Sequence, residues 1–504
     1  MRHGVRLGQP CDGFGFVDSV DANVAECDRS FMMDRRGFLM LSTAGVLVAC
    51  TPRPGDTGPA PPAGDLVDVA MNAAETDVDL GGLAVRTWTY TGTVPAKEIR
   101  LRKGQTLRAA VTNSLPQDTS VHWHGLAIPN AMDGVPVLTQ APIAPGGNFR
   151  YEFVVPAAGT YYLHSHVGTQ LDRGMYGPLI IEDPADGADY DDELVVVLDD
   201  WIDGTGTNPD EVAANLAKTG MKPMDTSGPM VSPTMPLGMD GGDVTYPYFL
   251  INGRTTKDPH VEDYPAGQRV RLRIINAGAD TAFRVAVPGT ELNVTHTDGY
   301  PVVTRRAESV ILGMGERVDA IVTVGSSVPV IAAPEGKDGH AQLNLRVDGK
   351  ASGVDVDGFV KALRTGVPLD TATLVSAADV ALPQRNADIT EDLRLAGPVN
   401  GYTWPINGKL YDPPRNGIAL APGKRVRLRF VNESMMFHPM HLHGHTFQVV
   451  SPTGPGPRKD TVLVPPMQTV EVDFDTDNPG RWIVHCHNDY HLGGGMATFV
   501  EYAP

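Results

Sequence analysis

Val426, Leu428 and Phe430 alternate with Arg425, Arg427 and Arg429. A period of two puts one set on a core face and the other toward water, the signature of a half-buried β-strand. The strand follows Pro422-Gly423 and runs into Asn432. Variants of it start at Lys103-Gly104 and run to Asn113, and at Ala266-Gly267 and run to Asn276. The three glycines lie 163 and 156 residues apart. A period of that length is a repeated domain rather than a repeated motif. The pattern predicts an all-β chain of three β-sandwiches, near 65–187, 188–355 and 365–504.

Composition agrees. The chain has 504 residues, with 55 glycines and 42 prolines, which suits three domains of short strands and many turns. Its formal charge of −19 argues against nucleic acid and against a polybasic membrane surface, and suits a cationic or neutral substrate. No apolar run reaches the roughly eighteen residues of a transmembrane helix.

The N-terminal residues read as an address. Asp34-Arg35-Arg36-Gly37-Phe38-Leu39 sets a twin arginine before the apolar stretch Leu39 to Ala49, a Tat-type signal too short to span a bilayer. The stretch ends in Leu47-Val48-Ala49-Cys50, similar to a lipobox in which the cysteine is lipidated. Residues 32–50 are therefore expected to be a Tat/lipoprotein signal. Residues 51–64 are expected to be a Pro/Gly-rich tether, and 1–31 an extension upstream of a true start at Met32 or Met33. The expected location is extracytoplasmic, with the chain exported by Tat and lipid-anchored at Cys50. Of Cys11, Cys27, Cys50 and Cys486, only Cys486 remains in the globular part, which leaves no internal disulfide.

Eight of fifteen histidines form four His-X-His pairs: His122/His124, His164/His166, His441/His443 and His485/His487. Strand residues i and i+2 face the same way, so each pair can offer two imidazoles to one locus. The pairs fall in matching places. Gly104 and Gly423 each lie 18 residues before a pair, at His122 and His441; Gly159 and Gly480 each lie 5 before one, at His164 and His485. The middle repeat has Thr281-Ala282-Phe283 after its strand and no pair. Two outer domains with matching half-sites imply one shared site between domains one and three. Cys486, between His485 and His487, points to the opposite strand face. With His438, His491 and Met496 it makes the two-histidine, one-thiolate, one-thioether inventory of a blue-copper centre.

His122-Trp123-His124-Gly125, His164-Ser165-His166, the His438 to His445 run and the His485 to Met496 run resemble the four signature motifs of the three-domain, laccase-like multicopper oxidases. The likeness covers roughly residues 65–504 and is greatest to the Tat-exported copper-tolerance members of actinobacteria, mycobacterial lipoproteins among them. Gly241-Gly242-Asp243 to Ile251-Asn252-Gly253-Arg254 adds to it. The resemblance implies cupredoxin-like Greek-key sandwiches and four copper ions. His438, Cys486 and His491 would hold the type 1 ion, with Met496 axial. His122 and His441 would hold the type 2 ion, and His124, His164, His166, His443, His485 and His487 the type 3 pair. His445 and the four remaining histidines are read as surface or packing residues. The implied reaction takes single electrons from a substrate and passes four of them along Cys486 to reduce dioxygen to water. Asp133 matches a family acid near the cluster and is the first proton-donor candidate, although Met132-Asp133-Gly134 is equally a turn. Asp489 is the second. Leu492 stands where some cuprous oxidases carry an acid.

The reductant is expected to be Cu(I), with phenols and diamines also oxidised. Met221, Met224, Met230, Met235 and Met239 crowd the segment 221–239, and thioethers suit Cu(I). Such methionines can also simply fill gaps. The alternatives are a laccase with mainly organic phenolic donors and a non-catalytic copper-binding scaffold. A monomer is expected.

Overall fold

The computed structural model describes residues 65–183, 185, 189–221, 231–239 and 241–503. The signal and tether readings, Cys50, and Met224 and Met230 of the methionine segment lie outside them.

The three repeated strands are Thr106–Asn113, Gln268–Asn276 and Arg425–Asn432. Each sits in the same local topology. Each pairs parallel with a strand that precedes it: Leu66–Asp79, Asp192–Trp201 and Ile389–Leu395 respectively. Each also pairs antiparallel with a later strand: Asn148–Val154, Arg317–Val324 and Thr469–Asp475. The opening glycines Gly104, Gly267 and Gly423 have φ of +86°, +87° and +69° with no atom near a would-be Cβ. The turn conformation itself, not crowding, calls for glycine there.

The closing asparagines explain the other end of the repeat. Asn113 Oδ1 accepts from Leu115 N, Asn276 Oδ1 from Gly278 N and Asn432 Oδ1 from Ser434 N. Their Nδ2 groups donate to carbonyls of the chain that follows: Gln117 and Ile143, Thr281 and Leu312, and Met436 and Val464. A short amide can satisfy backbone groups on both sides of a tight departure from a strand.

Among the described residues six sheets result, two for each third of the chain. Both sheets of the second pair carry six strands, and Leu369–Asp370 lines the edge of one, parallel to Val310–Leu312. The middle sandwich thus runs past the expected limit of 355, and past the start of 365 expected for the third. Gln268–Asn276 also departs from simple alternation, being buried on both faces from Val270 onward. Its sheet is covered by the first sandwich: Arg273 Nη1 donates to Thr160 Oγ1 at 3.0 Å, and Asp319 pairs with Arg271 and Arg273. Among the described residues no helix is long and apolar enough to cross a membrane.

Candidate metal centres

Two hairpin-like strand pairs build the histidine cluster. His122–His124 lies antiparallel to Gly159–His164, with His122 opposite His164. His438–Leu442 lies antiparallel to Gly480–Cys486, with His441 opposite His485. The second is the counterpart of the first, as the matching spacings required. Side chains of the two pairs meet: the His122 and His443 rings stack at 3.7 Å between centroids, and those of His124 and His441 at 3.8 Å.

Ligand-capable atoms converge in compact groups. His124, His164 and His487 form one triad, His166, His443 and His485 a second, and His122, His124 and His441 a third group. His438, Cys486 and His491 form a separate one. The ring nitrogens turned inward have no hydrogen-bond partner at His122 Nε2, His124 Nδ1, His164 Nε2, His441 Nε2 and His487 Nδ1. Buried orphan nitrogens are rare in proteins unless a ligand takes them. At the second triad the Nε2 atoms of His166 and His443 lie 3.4 and 3.1 Å from His485 Nε2. Burial, with neighbouring rings repelling further charge, holds His124, His164, His441 and His443 well below the usual imidazole range. His485 is pushed down to about 3 by burial. Neutral imidazole is the metal-binding form.

The outward nitrogens are occupied. His122 Nδ1 donates to the Asp133 carbonyl at 2.8 Å, His164 Nδ1 to the Ser165 carbonyl at 2.8 Å and His485 Nδ1 to the Cys486 carbonyl at 2.9 Å. His441 Nδ1 donates to the Asp460 carbonyl at 2.8 Å, and His124 Nε2 to Asp460 Oδ1 at 2.9 Å. His487 Nε2 donates to the Tyr162 hydroxyl at 2.9 Å. Such partners fix the tautomer and aim the other nitrogen inward. Asp460 and Tyr162 escaped the sequence reading: nothing in their local pattern marks them, and they reach the rings only through tertiary contact.

Cys486 faces away from this cluster, as strand alternation requires. Its Sγ is 3.6 Å from His438 Nδ1 and 3.5 Å from His491 Nδ1, and these nitrogens are 3.1 Å apart. Met496 is fully buried; its N–H donates to the His491 carbonyl and its carbonyl accepts from Cys486 N. Ser434 Oγ accepts from His438 Nε2 at 2.7 Å and Asp243 Oδ2 from His491 Nε2 at 3.0 Å. A soft thiolate and two imidazoles, with Met496 tied to Cys486 and His491 through its backbone, suit copper.

Asp133 is both turn and site. It caps the short helix Asn130–Met132, and its carboxylate lies 3.1 Å by each oxygen from His443 Nδ1. Burial pushes its pKa up. Asp489, which opens the helix Asp489–Gly493, lines a cavity of about 200 Å³ with His164, His166, His485, His487 and Tyr411. Its Oδ2 has no partner, and burial, then the Asp200 charge, pushes its pKa up to about 8. His445 packs edge-on to Trp482 and donates from Nδ1 to the His443 carbonyl. Of the remaining histidines, His260 donates to Glu262 at 2.8 Å, His296 is buried and His340 is partly exposed. His3 lies outside the described residues.

Three multicopper oxidase family models match, at residues 72–186, 192–330 and 384–504. The multicopper oxidase MmcO of Mycobacterium tuberculosis is 41% identical over 93% of this chain and 96% of its own length. Copper resistance protein A of Escherichia coli is 26% identical, covering 86% of this chain and 92% of that one. Laccase-1 of Botryotinia fuckeliana is 29% identical over 84% of this chain and 80% of that protein. Among solved structures, Fet3p, a multicopper oxidase that functions in iron import, superposes with a TM-score of 0.72 at 22% identity, covering 86% and 90% of the two chains. A laccase from Botrytis aclada gives 0.71 at 25%, covering 87% and 88%. These matches span all three sandwiches and the histidine and cysteine groups that could hold metal: the chain belongs to the multicopper oxidase family.

Proposed function

We propose that this copper enzyme oxidises Cu(I) and serves copper tolerance. The observation that carries the reading is the Asp243 carboxylate on His491 Nε2. His491 offers its outer edge toward an electron donor, yet its side chain is 0% exposed and that of Asp243 is 1%. A carboxylate over the entry edge favours a cation, and the closed surface disfavours a bulky ring. Asp243 follows the methionine segment by four residues; within that segment Met239 is 45% exposed while Met221 packs on the core. Relatives named for copper resistance support the same reading.

In this reading His438, Cys486, His491 and Met496 would hold the type 1 ion. His122 and His441 would hold the type 2 ion; His124, His164 and His487 would hold one type 3 ion, and His166, His443 and His485 the other. Bound copper supplies one-electron acceptance at the Cys486 group and four-electron reduction of dioxygen to water at the histidine cluster. The chain supplies the rest. The backbone from Cys486 to His485 and His487 links the two groups, and the Cys486 carbonyl holds His485 Nδ1. Asp489 delivers protons through the cavity it lines, and Asp133 orients His443 and His122 while serving the same proton supply. Export by Tat and a lipid at Cys50 would set this chemistry outside the cytoplasm, a reading supported by residues 32–50 of the sequence alone.

Oxygen consumption by the copper-loaded enzyme, with Cu(I) or a phenol as donor, tests the proposal. Asp243→Ala and replacement of the five methionines should lower Cu(I) turnover at least tenfold and spare phenol turnover. Equal losses on both donors, or phenol turnover far above that of Cu(I), would favour a laccase, the reading suggested by the Botryotinia relative.

A further inference from the structure

The middle sandwich contributes none of the ligand histidines, yet it grips the histidine cluster. Arg317, the first residue of its strand Arg317–Val324, is 0% exposed and pairs with Asp460 through both oxygens, Nη1–Oδ1 at 2.7 Å and Nη2–Oδ2 at 2.6 Å. Its Nε donates to the Thr160 carbonyl at 3.1 Å, and Nη1 also to the Gly315 carbonyl at 3.0 Å. One guanidinium therefore ties the first sandwich (Thr160), its own turn (Gly315) and the third sandwich (Asp460). Asp298, also of the middle sandwich, accepts from Asp460 N, Thr461 N and Lys459 Nζ.

The segment so held is the one that orients two ligands. Asp460 Oδ1 accepts from His124 Nε2, its carbonyl accepts from His441 Nδ1, and Thr461 Oγ1 lies 3.2 and 3.1 Å from those same nitrogens. A carboxylate can only accept, so it fixes the proton on Nε2 of His124 and leaves Nδ1 bare toward the cluster. A second contact is steric. Gly315 has φ +86°, and a Cβ there would lie 2.8 Å from His487 Cδ2 and 3.1 Å from His124 Cε1. The turn is moulded to two ligand rings at a distance only glycine permits.

We infer that Arg317 and Gly315 are positioning residues for the trinuclear copper site, so that the ligand-free middle sandwich sets the tautomer and placement of His124 and the placement of His487. This rests on the copper assignment above, which the type 1 signals check separately. Among the described residues no hydrogen bond or ion pair runs from this turn to His438, Cys486 or His491, while Met314 packs in one cluster with Phe437 beside His438, so the effect is expected mainly at one centre. A bidentate guanidinium is needed; a lysine keeps the charge but loses the fork.

The test uses the full copper-loaded chain with Arg317→Lys, Arg317→Met and Gly315→Ala. Copper content, the type 1 visible band, the type 2 electron paramagnetic resonance signal and the reoxidation rate of the reduced enzyme by dioxygen are read together. Expected is an unchanged type 1 band, with an altered type 2 signal, and copper affinity or reoxidation lowered about ten- to a hundredfold. Arg317→Lys should recover part of what Arg317→Met loses. Gly315→Ala leaves every ion pair intact, so it tests the contact even where Arg317→Met fails to fold. Wild-type trinuclear signals and reoxidation in Arg317→Lys and Gly315→Ala would overturn the inference. So would loss of type 1 and trinuclear signals in equal measure, the mark of general unfolding. A chain with no type 1 band even as wild type would instead sink the copper assignment.

Discussion

Cys486 and Asp489 lie three residues apart and serve different centres. Cys486→Ser removes the only thiolate from the His438 and His491 group. It should abolish the type 1 band and lower copper content by about one ion of the four typical of the family. The type 2 signal should persist. Copper analysis with spectroscopy checks this, and loss of every ion would mean the two groups do not load separately. Asp489 has an unpartnered oxygen at the cavity beside four ligand rings. Asp489→Asn keeps the shape and removes the exchangeable proton. Reduction by the donor should be unchanged, while reoxidation by dioxygen slows about a hundredfold, within the usual range for a lost general acid. Stopped-flow mixing of reduced enzyme with dioxygen separates the two steps, and an unchanged reoxidation rate would leave Asp489 a structural residue only.

Among elements, the repeated strand shows how a local pattern is put to different uses. Arg425–Asn432 alternates as its sequence reads, with Val426, Leu428 and Phe430 buried and Arg427 and Arg429 paired to acids at the surface. Gln268–Asn276 has the same alternation, but Arg271 and Arg273 are buried because another sandwich covers them, and only Arg269 stays at the surface. Asn432 connects the element to the chemistry: it holds the Ser434 backbone and hydroxyl, and Ser434 Oγ accepts from His438 Nε2. Asn432→Ala strands several buried backbone groups, so unfolding free energy should fall by about 3 kcal/mol. The type 1 band should shift because His438 loses its fixed partner. Denaturant unfolding and the visible spectrum check both; an unshifted band would show that Ser434 keeps its place without the asparagine.

At the scale of the molecule, the ligand groups bridge the first and third sandwiches, since His124 and His164 share a triad with His487. Bound metal stabilises the native state in proportion to its affinity. Chelation should therefore lower the melting temperature by several degrees and loosen the first and third sandwiches most. Calorimetry with and without copper, alongside hydrogen exchange, measures this. A melting temperature independent of copper would mean that the interface is held by its ion pairs alone.

The candidate ligands were legible in the amino-acid sequence. Strand period two makes His-X-His a directional statement, and the repeat spacing points to half-sites in the outer domains. The sequence also determined the β-rich class, since alternation and glycine turns are local properties. It left open which partners hold the ligands. Asp460, Tyr162 and Arg317 stand 336, 325 and 157 residues from the groups they bond (His124, His487 and the Thr160 carbonyl), and such contacts leave no mark in a local pattern. Asp133 looked like a turn and a candidate acid at once, and the fold made it a turn that touches His443. That the sandwich without ligand histidines closes the site follows from the fold alone, because burying Arg317, Asp298 and Asp460 together, each 0% exposed, requires three sandwiches to meet there, away from bulk solvent.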